Sequence, residues 1–261
     1  MNSALKKAFE SANTLIPYIT FGDPDIAFTR SCCEALLDSG ADILEIGLPF
    51  SDPIADGEVI QRSHQRALKH TQKVTIKNAL TMVAEIKQSY QQPIIFMGSV
   101  NLVLQYGVDT FFQDADKVGL AGIIIPDLTI ESASAYLKSS KQYNVPIIFL
   151  VSPLCDDKRI SEIVMQSEGF IYLISTTGIT GERHSISADL GLLTKKIKSV
   201  KNIPVAVGFG ISTPEHVTFV NQVADGAIVG SHLVKIINDN VDNLDNAIQQ
   251  LSSRVKALKH Q

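Results

Sequence analysis

Eight short apolar runs recur along the chain, at 15–21 (LIPYITF), 42–46 (DILEI), 93–97 (PIIFM), 122–126 (GIIIP), 146–151 (PIIFLV), 170–175 (FIYLIS), 204–208 (PVAVG) and 226–230 (GAIVG). Most lack any alternation of apolar and polar positions. That is the pattern of strands covered on both faces, as in a parallel sheet wrapped by helices. Between the runs the period changes. Phe28, Cys32 and Leu36, with Cys33 and Leu37 beside them, fall on one helical face. Leu190, Leu193, Ile197 and Val200 follow at spacings of 3, 4 and 3, and Leu244, Ile248, Leu251, Val255 and Leu258 at 4, 3, 4 and 3. Such stripes are the core-facing sides of helices.

The entrances to the runs come in two kinds. Gln92-Pro93, Val145-Pro146 and Ile203-Pro204 open the third, fifth and seventh, where proline is tolerated as a strand's first residue. Ser39-Gly40-Ala41, Gly119-Leu120-Ala121-Gly122 and Ala224-Asp225-Gly226 precede the second, fourth and eighth, and glycine suits the end of the helix before. Eight strand–helix units in this rhythm predict an α/β fold, a (β/α)8 TIM barrel forming a single domain over 1–261. An extra helix precedes the first strand, and the long gap after the second holds an inserted loop and helix.

Composition narrows the function classes. Hydrophobic residues make up 45% of the 261, enough for one barrel core. Net charge is −4, and the densest basic cluster, Lys195-Lys196-Ile197-Lys198, fits the solvated face of a helix. This excludes a nucleic-acid footprint and a polybasic membrane patch. The three cysteines, Cys32, Cys33 and Cys155, argue against a disulfide framework and for a reducing compartment. Residues 1–10 lack a signal-peptide pattern and no apolar run reaches bilayer length, so a soluble cytoplasmic protein is expected. The histidines, His64 and His70 included, show no metal-ligand spacing, and no CxxC or GxGxxG occurs.

Candidate chemistry begins at Glu45, a carboxylate inside the second run, followed by Asp52 and Asp56 on a loop stiffened by Pro49 and Pro53. In a barrel these positions belong to the mouth where the strands end. Two readings stand for Glu45. It pairs with Arg62 or Arg66, or it sits in a dry pocket whose desolvation raises its proton affinity and suits it to acid–base work. Asp52, in Ser-Asp-Pro, also fits a turn. At the last three strand ends lie Thr177-Gly178-Ile179-Thr180-Gly181, Gly208-Phe209-Gly210 and Gly230-Ser231, the last opening a short helix. Glycine turns bring backbone N–H groups to an anion, and together at one rim they predict a phosphate site built from backbone. The polar stretch 176–187 is expected to act as a lid.

These residues carry a resemblance. The run LEIGLPFSDPIADG at 44–57 strongly resembles the signature of the tryptophan synthase alpha chain family. Tyr18-Ile19-Thr20-Phe21-Gly22-Asp23-Pro24, Asn101-Leu102-Val103, Pro126-Asp127-Leu128, Gly178-Ile179-Thr180-Gly181, Gly208-Phe209-Gly210-Ile211 and Gly230-Ser231 do so in the same order along nearly the whole chain. The resemblance implies retro-aldol cleavage of indole-3-glycerol phosphate to indole and glyceraldehyde 3-phosphate, without a cofactor in this chain. It implies that Glu45 is the general acid/base at indole C3 and at the glycerol hydroxyl. Asp56 accepts the indole N–H and stabilises positive charge on the ring. By the same resemblance Tyr172 is at a position the family uses near Glu45, and Gly181, Phe209, Gly210, Gly230 and Ser231 would hold the phosphate. Thr180, on the lid, meets the aspartate on closure.

It further implies an α2β2 complex with a tryptophan synthase beta chain carrying pyridoxal phosphate, docked on the loops after the second and third strands, notably Asp52 and Pro53. Departures from the family pattern fall at Ser99 (commonly aromatic), at Glu58 and Thr129 (commonly proline), and at Ser152-Pro153-Leu154-Cys155. They bear on the indole pocket and the partner face, not on the two carboxylates. A free-standing lyase and a non-catalytic phosphate-binding barrel are the alternatives.

Overall fold

Among the described residues, nine parallel strand segments form one sheet: β1 (Thr14–Thr20), β2 (Leu44–Gly47), β3 (Ile94–Met97), β4 (Gly122–Ile124), β5 (Ile147–Ile148), β6 (Leu150–Val151), β7 (Ile171–Ile174), β8 (Val205–Gly208) and β9 (Gly226–Val229). The structure, a computed structural model, describes residues 3–10, 13–53, 56–69, 74–175, 183–208 and 210–259, with backbone alone for 183–188. The strand order is β5-β4-β3-β2-β1-β9-β8-β7-β6, so the two ends of the order are neighbours in sequence. β5 pairs with β4, Ile147 opposite Ile123, while β6 pairs with β7, Leu150 opposite Tyr172. The fifth predicted run is therefore a single stretch that changes partner at Phe149, whose carbonyl accepts from the Tyr172 N–H at 3.1 Å. Eight predicted strands become nine segments because the ladder breaks where the twisted sheet meets itself and closes into a barrel.

The core separates into two layers by strand parity. Ile16, Ile43, Ile95, Ile124, Ile148, Tyr172, Ala206 and Ile228 pack together in the barrel interior. Their chain neighbours Leu15, Leu44, Ile94, Ile123, Ile147, Leu173, Val207 and Ala227 pack outward with the helices. Successive side chains on a strand point to opposite faces, so Tyr18, two residues after Ile16, and Glu45, two after Ile43, point inward near the strand ends. They face each other in the β1–β2 register, with Ile95 on the far side of Glu45.

One end of the barrel is plugged. The predicted extra helix, Ser3–Ala8, buries Leu5 completely in the interior cluster, and Phe9 lies 5.3 Å from the ring of Phe170. The end at the strand C-termini is left as the mouth. The predicted insertion after β2 is the helix Glu58–Leu68, followed by Ile76–Ile86. The stripe of the helix Ile26–Asp38 buries Phe28, Cys32, Cys33, Leu36 and Leu37, and Asp25 caps it by accepting from the Phe28 N–H at 2.8 Å. The helix Arg183–Val200 begins inside the stretch expected to be a lid. The rest of that stretch, 176–182, lies outside the described residues. Among the described residues no helix is long and apolar enough to cross a membrane.

A buried ion pair ties the mouth together. Arg66 donates from Nε and Nη2 to the two carboxylate oxygens of Asp23, both at 2.8 Å, and from Nη1 to Asn238 Oδ1 at 2.7 Å. The pair links the loop after β1 to the helix Glu58–Leu68 and to the helix Ser231–Asp239. Arg66→Ala leaves a fully enclosed Asp23 carboxylate without its partner, and is expected to cost about 3–5 kcal/mol in urea unfolding at pH 7. A loss under about 1 kcal/mol would show that the pair is solvated.

Candidate active site

Glu45 is 1% exposed, and its Oε2 makes no hydrogen bond within the described residues. Burial, and then the negative charge of Asp56, push its carboxyl up to about 8. The ion-pair reading of Glu45 does not hold. Arg62 bonds to Glu58 one turn away on the exposed face of its helix, and Arg66 is held by Asp23. A protonated carboxyl with a buried, unpartnered oxygen is costly, and it persists here because the strand parity that fills the interior also forces residue 45 inward.

Asp56 comes from the loop after β2. The Leu48 N–H donates to Met97 O at 2.7 Å, which starts the loop along β3. The Asp56 N–H donates to Pro53 O at 3.2 Å, and Gln61 Nε2 donates to the Asp56 carbonyl at 2.7 Å. These bonds turn the carboxylate back over the mouth. Burial raises it to about 6. The two carboxyls thus differ in proton affinity, and at neutral pH Glu45 holds its proton while Asp56 is ionised. Such a separation divides acid from base roles.

Both carboxylates line one cavity of about 360 Å³ at the strand C-termini, with Tyr172 and Ile228 on its wall and Gly210, Gly230 and Ser231 at its other end. A smaller cavity of about 180 Å³ adjoins it, shares Tyr18, Asp56 and Met97, and is lined by Leu48, Phe50, Pro53 and Ser99 among others. The larger volume is of the size that takes a small molecule. At its glycine end Gly210 has φ +76°, a left-handed conformation that only glycine adopts readily. Gly230 precedes the helix Ser231–Asp239, whose first N–H groups and dipole favour an anion. Lys235 and His232 line this end as well, beside the main-chain groups expected there, with the Lys235 ammonium paired to Asp239 at 2.5 Å. A positive side chain one turn into the helix was not legible as facing a cavity.

Gly208 does different work from that expected of it. A Cβ there would lie 2.1 Å from Tyr172 Oη, and a Cβ at Gly47 would lie 2.0 Å from Tyr18 Oη. Each glycine makes room for a tyrosine ring from the neighbouring strand. The sequence reading did not single out Tyr18, which lines both cavities, because its run looks like ordinary core. Thr180, Gly181 and Phe209 lie outside the described residues.

The loop residues Asp52 and Pro53 are placed at the rim, Asp52 exposed and Pro53 half-buried against the smaller cavity. Of the four departures, Ser99 bonds to Asp127 Oδ2 at 2.7 Å and caps the helix Val100–Tyr106. Glu58 pairs with Arg62, and Thr129 bonds to Ser132 at 2.9 Å ahead of a single 3-10 turn. Ser152 closes a turn by accepting the Cys155 N–H at its carbonyl, leaving Leu154 strongly exposed.

Comparison with known proteins adds an independent line. A family model described as tryptophan synthase alpha chain matches residues 4–261. A tryptophan synthase alpha chain from Petrotoga mobilis is 36% identical over 257 residues, covering 98% of this chain and 99% of the relative. The crystal structure of tryptophan synthase subunit alpha from Legionella pneumophila superposes with a TM-score of 0.89 at 34% identity, covering 99% of this chain and 97% of that one. A chain of the tryptophan synthase α2β2 complex from Pyrococcus furiosus superposes at 0.84 with 38% identity, over 94% of this chain and 97% of its own.

Proposed function

The chain belongs to the tryptophan synthase alpha chain family, and from that premise we propose that Glu45 and Asp56 carry the family's reaction here. The protein is a lyase of tryptophan biosynthesis that cleaves indole-3-glycerol phosphate to indole and glyceraldehyde 3-phosphate. One observation supports the assignment above others: a buried carboxyl with an unpartnered oxygen shares a cavity with a second, more acidic carboxyl and with the glycine end.

The steps balance in protons. Neutral Glu45 donates its proton to indole C3, and positive charge develops on the ring. Asp56, ionised, accepts the indole N–H and holds that charge. The new Glu45 carboxylate takes the proton from the hydroxyl on the carbon bonded to C3. That carbon becomes the aldehyde as its bond to C3 breaks, and the electron pair returns to the ring. Glu45 ends as it began. The surrounding apolar side chains strengthen each of these charge interactions by excluding water. Lining the same wall, Tyr172 packs against the substrate. Gly210, Gly230 and Ser231 receive the phosphate, together with Gly181 and Phe209. Thr180, in the lid, meets Asp56. Gly210→Val forces a β-branched residue to a positive φ, and is expected to weaken binding of glyceraldehyde 3-phosphate about tenfold in calorimetry. Unchanged affinity would remove Gly210 from the phosphate site.

The chain works with a beta chain. We place the docking face on the loops after β2 and β3, where Asp52 is exposed and Leu104, on the helix after β3, stands 62% exposed. The assembly is α2β2, this chain needs no cofactor of its own, pyridoxal phosphate belongs to the beta chain, and the complex is cytoplasmic. A coupled assay of indole release from indole-3-glycerol phosphate, with and without a beta chain, tests the whole reading. Release that a beta chain does not accelerate would make the protein a free-standing lyase, and no release in either case would make it a binding barrel.

A further inference from the structure

His64 is buried on the inner side of the helix Glu58–Leu68, at 4% exposure, and nothing in the chemistry above uses it. Its Nδ1 receives the Phe50 N–H at 3.4 Å. An amide can only donate, so Nδ1 must keep its lone pair and the proton of the neutral ring sits on Nε2. Burial favours that neutral ring, lowering His64 to about 4. Nε2 lies 3.4 Å from Tyr18 Oη and 3.9 Å from Asp56 Oδ2.

A line of hydroxyls leads away from it. Ser63 Oγ lies 2.7 Å from the Ile60 carbonyl and 2.6 Å from Thr20 Oγ1. Thr20 is hydrogen-bonded in turn to Tyr18 in the sense that favours the phenolate, so the Tyr18 oxygen accepts from it. The contacts run from the Phe50 amide through His64, Tyr18, Thr20 and Ser63 to the Ile60 carbonyl. The imidazole N–H lies near both the Tyr18 oxygen and the Asp56 carboxylate.

We propose that His64 is the positioning residue of Asp56: locked as the Nε2–H tautomer by the Phe50 amide, it presents its N–H dipole to the Asp56 carboxylate from 3.9 Å and favours the ionised carboxylate over the mouth. The inference rests on the reading of Asp56 given under Proposed function. It also joins the loop, through Phe50, to the strand that carries Tyr18, so loop position and carboxylate orientation are set by one ring. Other charges face Asp56. Glu45, His232 and Lys235 line the larger cavity with it, and Asp52 and Asp127 the smaller. The Arg66–Asp23 pair lies on the same helix as His64. All of these remain in the variants below.

The test follows the Asp56 carboxyl by 13C NMR titration, alongside the pH profile of kcat/KM in the complex with a beta chain. His64→Leu is expected to move the Asp56 titration and the acidic limb up together by about one pH unit, since a lost N–H no longer favours the carboxylate. His64→Gln, whose amide restores an N–H at the same reach, is expected to return both. A folded His64→Leu with an unmoved titration, or a Gln variant that matches Leu, would overturn the proposal. Failure of the underlying reading looks different: in the parent protein itself the acidic limb would not coincide with the Asp56 titration.

Discussion

Glu45→Gln is expected to release indole about a thousandfold more slowly than the parent chain, and to be the more stable protein at alkaline pH. The first effect follows from removing a general acid/base, typically worth about 10²–10⁴ in rate. Binding of glyceraldehyde 3-phosphate should be almost unchanged, because the glycine end of the cavity is untouched. The second effect follows from linkage. Glu45 ionises at about 8 in the folded chain against its usual 4.5. Between those values the folded state holds a proton that the unfolded state has lost. Stability from this residue is thus complete below about pH 4.5, declines as pH rises, and is fully lost above about pH 8. A glutamine does not ionise and escapes the decline. In urea unfolding the variant should match or trail the parent at pH 4.5 and exceed it at pH 9 by about 2–3 kcal/mol, less than the full shift because the buried amide has unmet donors of its own. A stability gap independent of pH would mean that Glu45 does not titrate as its burial requires. Activity retained in the variant would remove it from the mechanism.

A bell-shaped pH profile is the next expected result, and Asp56→Asn should abolish one side of it. The reaction needs Glu45 protonated and Asp56 ionised. kcat/KM should therefore fall below about pH 6, where Asp56 takes up a proton, and above about pH 8, where Glu45 loses its own. Asp56→Asn is expected to be slower by about 10²–10³-fold, because the developing ring cation loses its counter-charge. Its residual activity should lack the acidic limb. The alkaline limb should move down only modestly, because burial is the main cause of the high Glu45 value and the Asp56 charge the lesser one. An acidic limb that survives in Asp56→Asn would assign it to another group.

The trade of stability for chemistry is local. Leu44 and Ile46 on either side of Glu45 are fully buried against the helices and hold β2 in place whatever residue 45 is doing. The Arg66–Asp23–Asn238 link pins the helix Glu58–Leu68 that follows the catalytic loop. The buried Glu45 carboxyl is carried by surroundings that over-determine its position.

Much of this was legible in the sequence. Apolar runs bounded by Pro and Gly located the strands along the chain, the fifth run dividing into two segments, because a parallel strand buried on both faces is short and largely apolar. Helical stripes located the outer layer. The carboxylates and glycines at strand ends located the mouth, because every parallel strand points the same way and its C-terminal end is the open one. Tyr18, His64 and Lys235 were not legible: an apolar stretch, or a short helix with several polar residues, carries no mark of which of them faces a cavity. Strands without alternation cannot say which side chains look inward. Only closure of the sheet, with β5 and β6 changing partners at Phe149, decided that residues 16, 18, 43 and 45 share the interior. Only packing between elements far apart in sequence decided that Arg66 goes to Asp23 rather than Glu45, and that His64 lies between Tyr18 and Asp56. Local pattern is set by neighbours along the chain, whereas the ionisation of a buried group is set by neighbours in space.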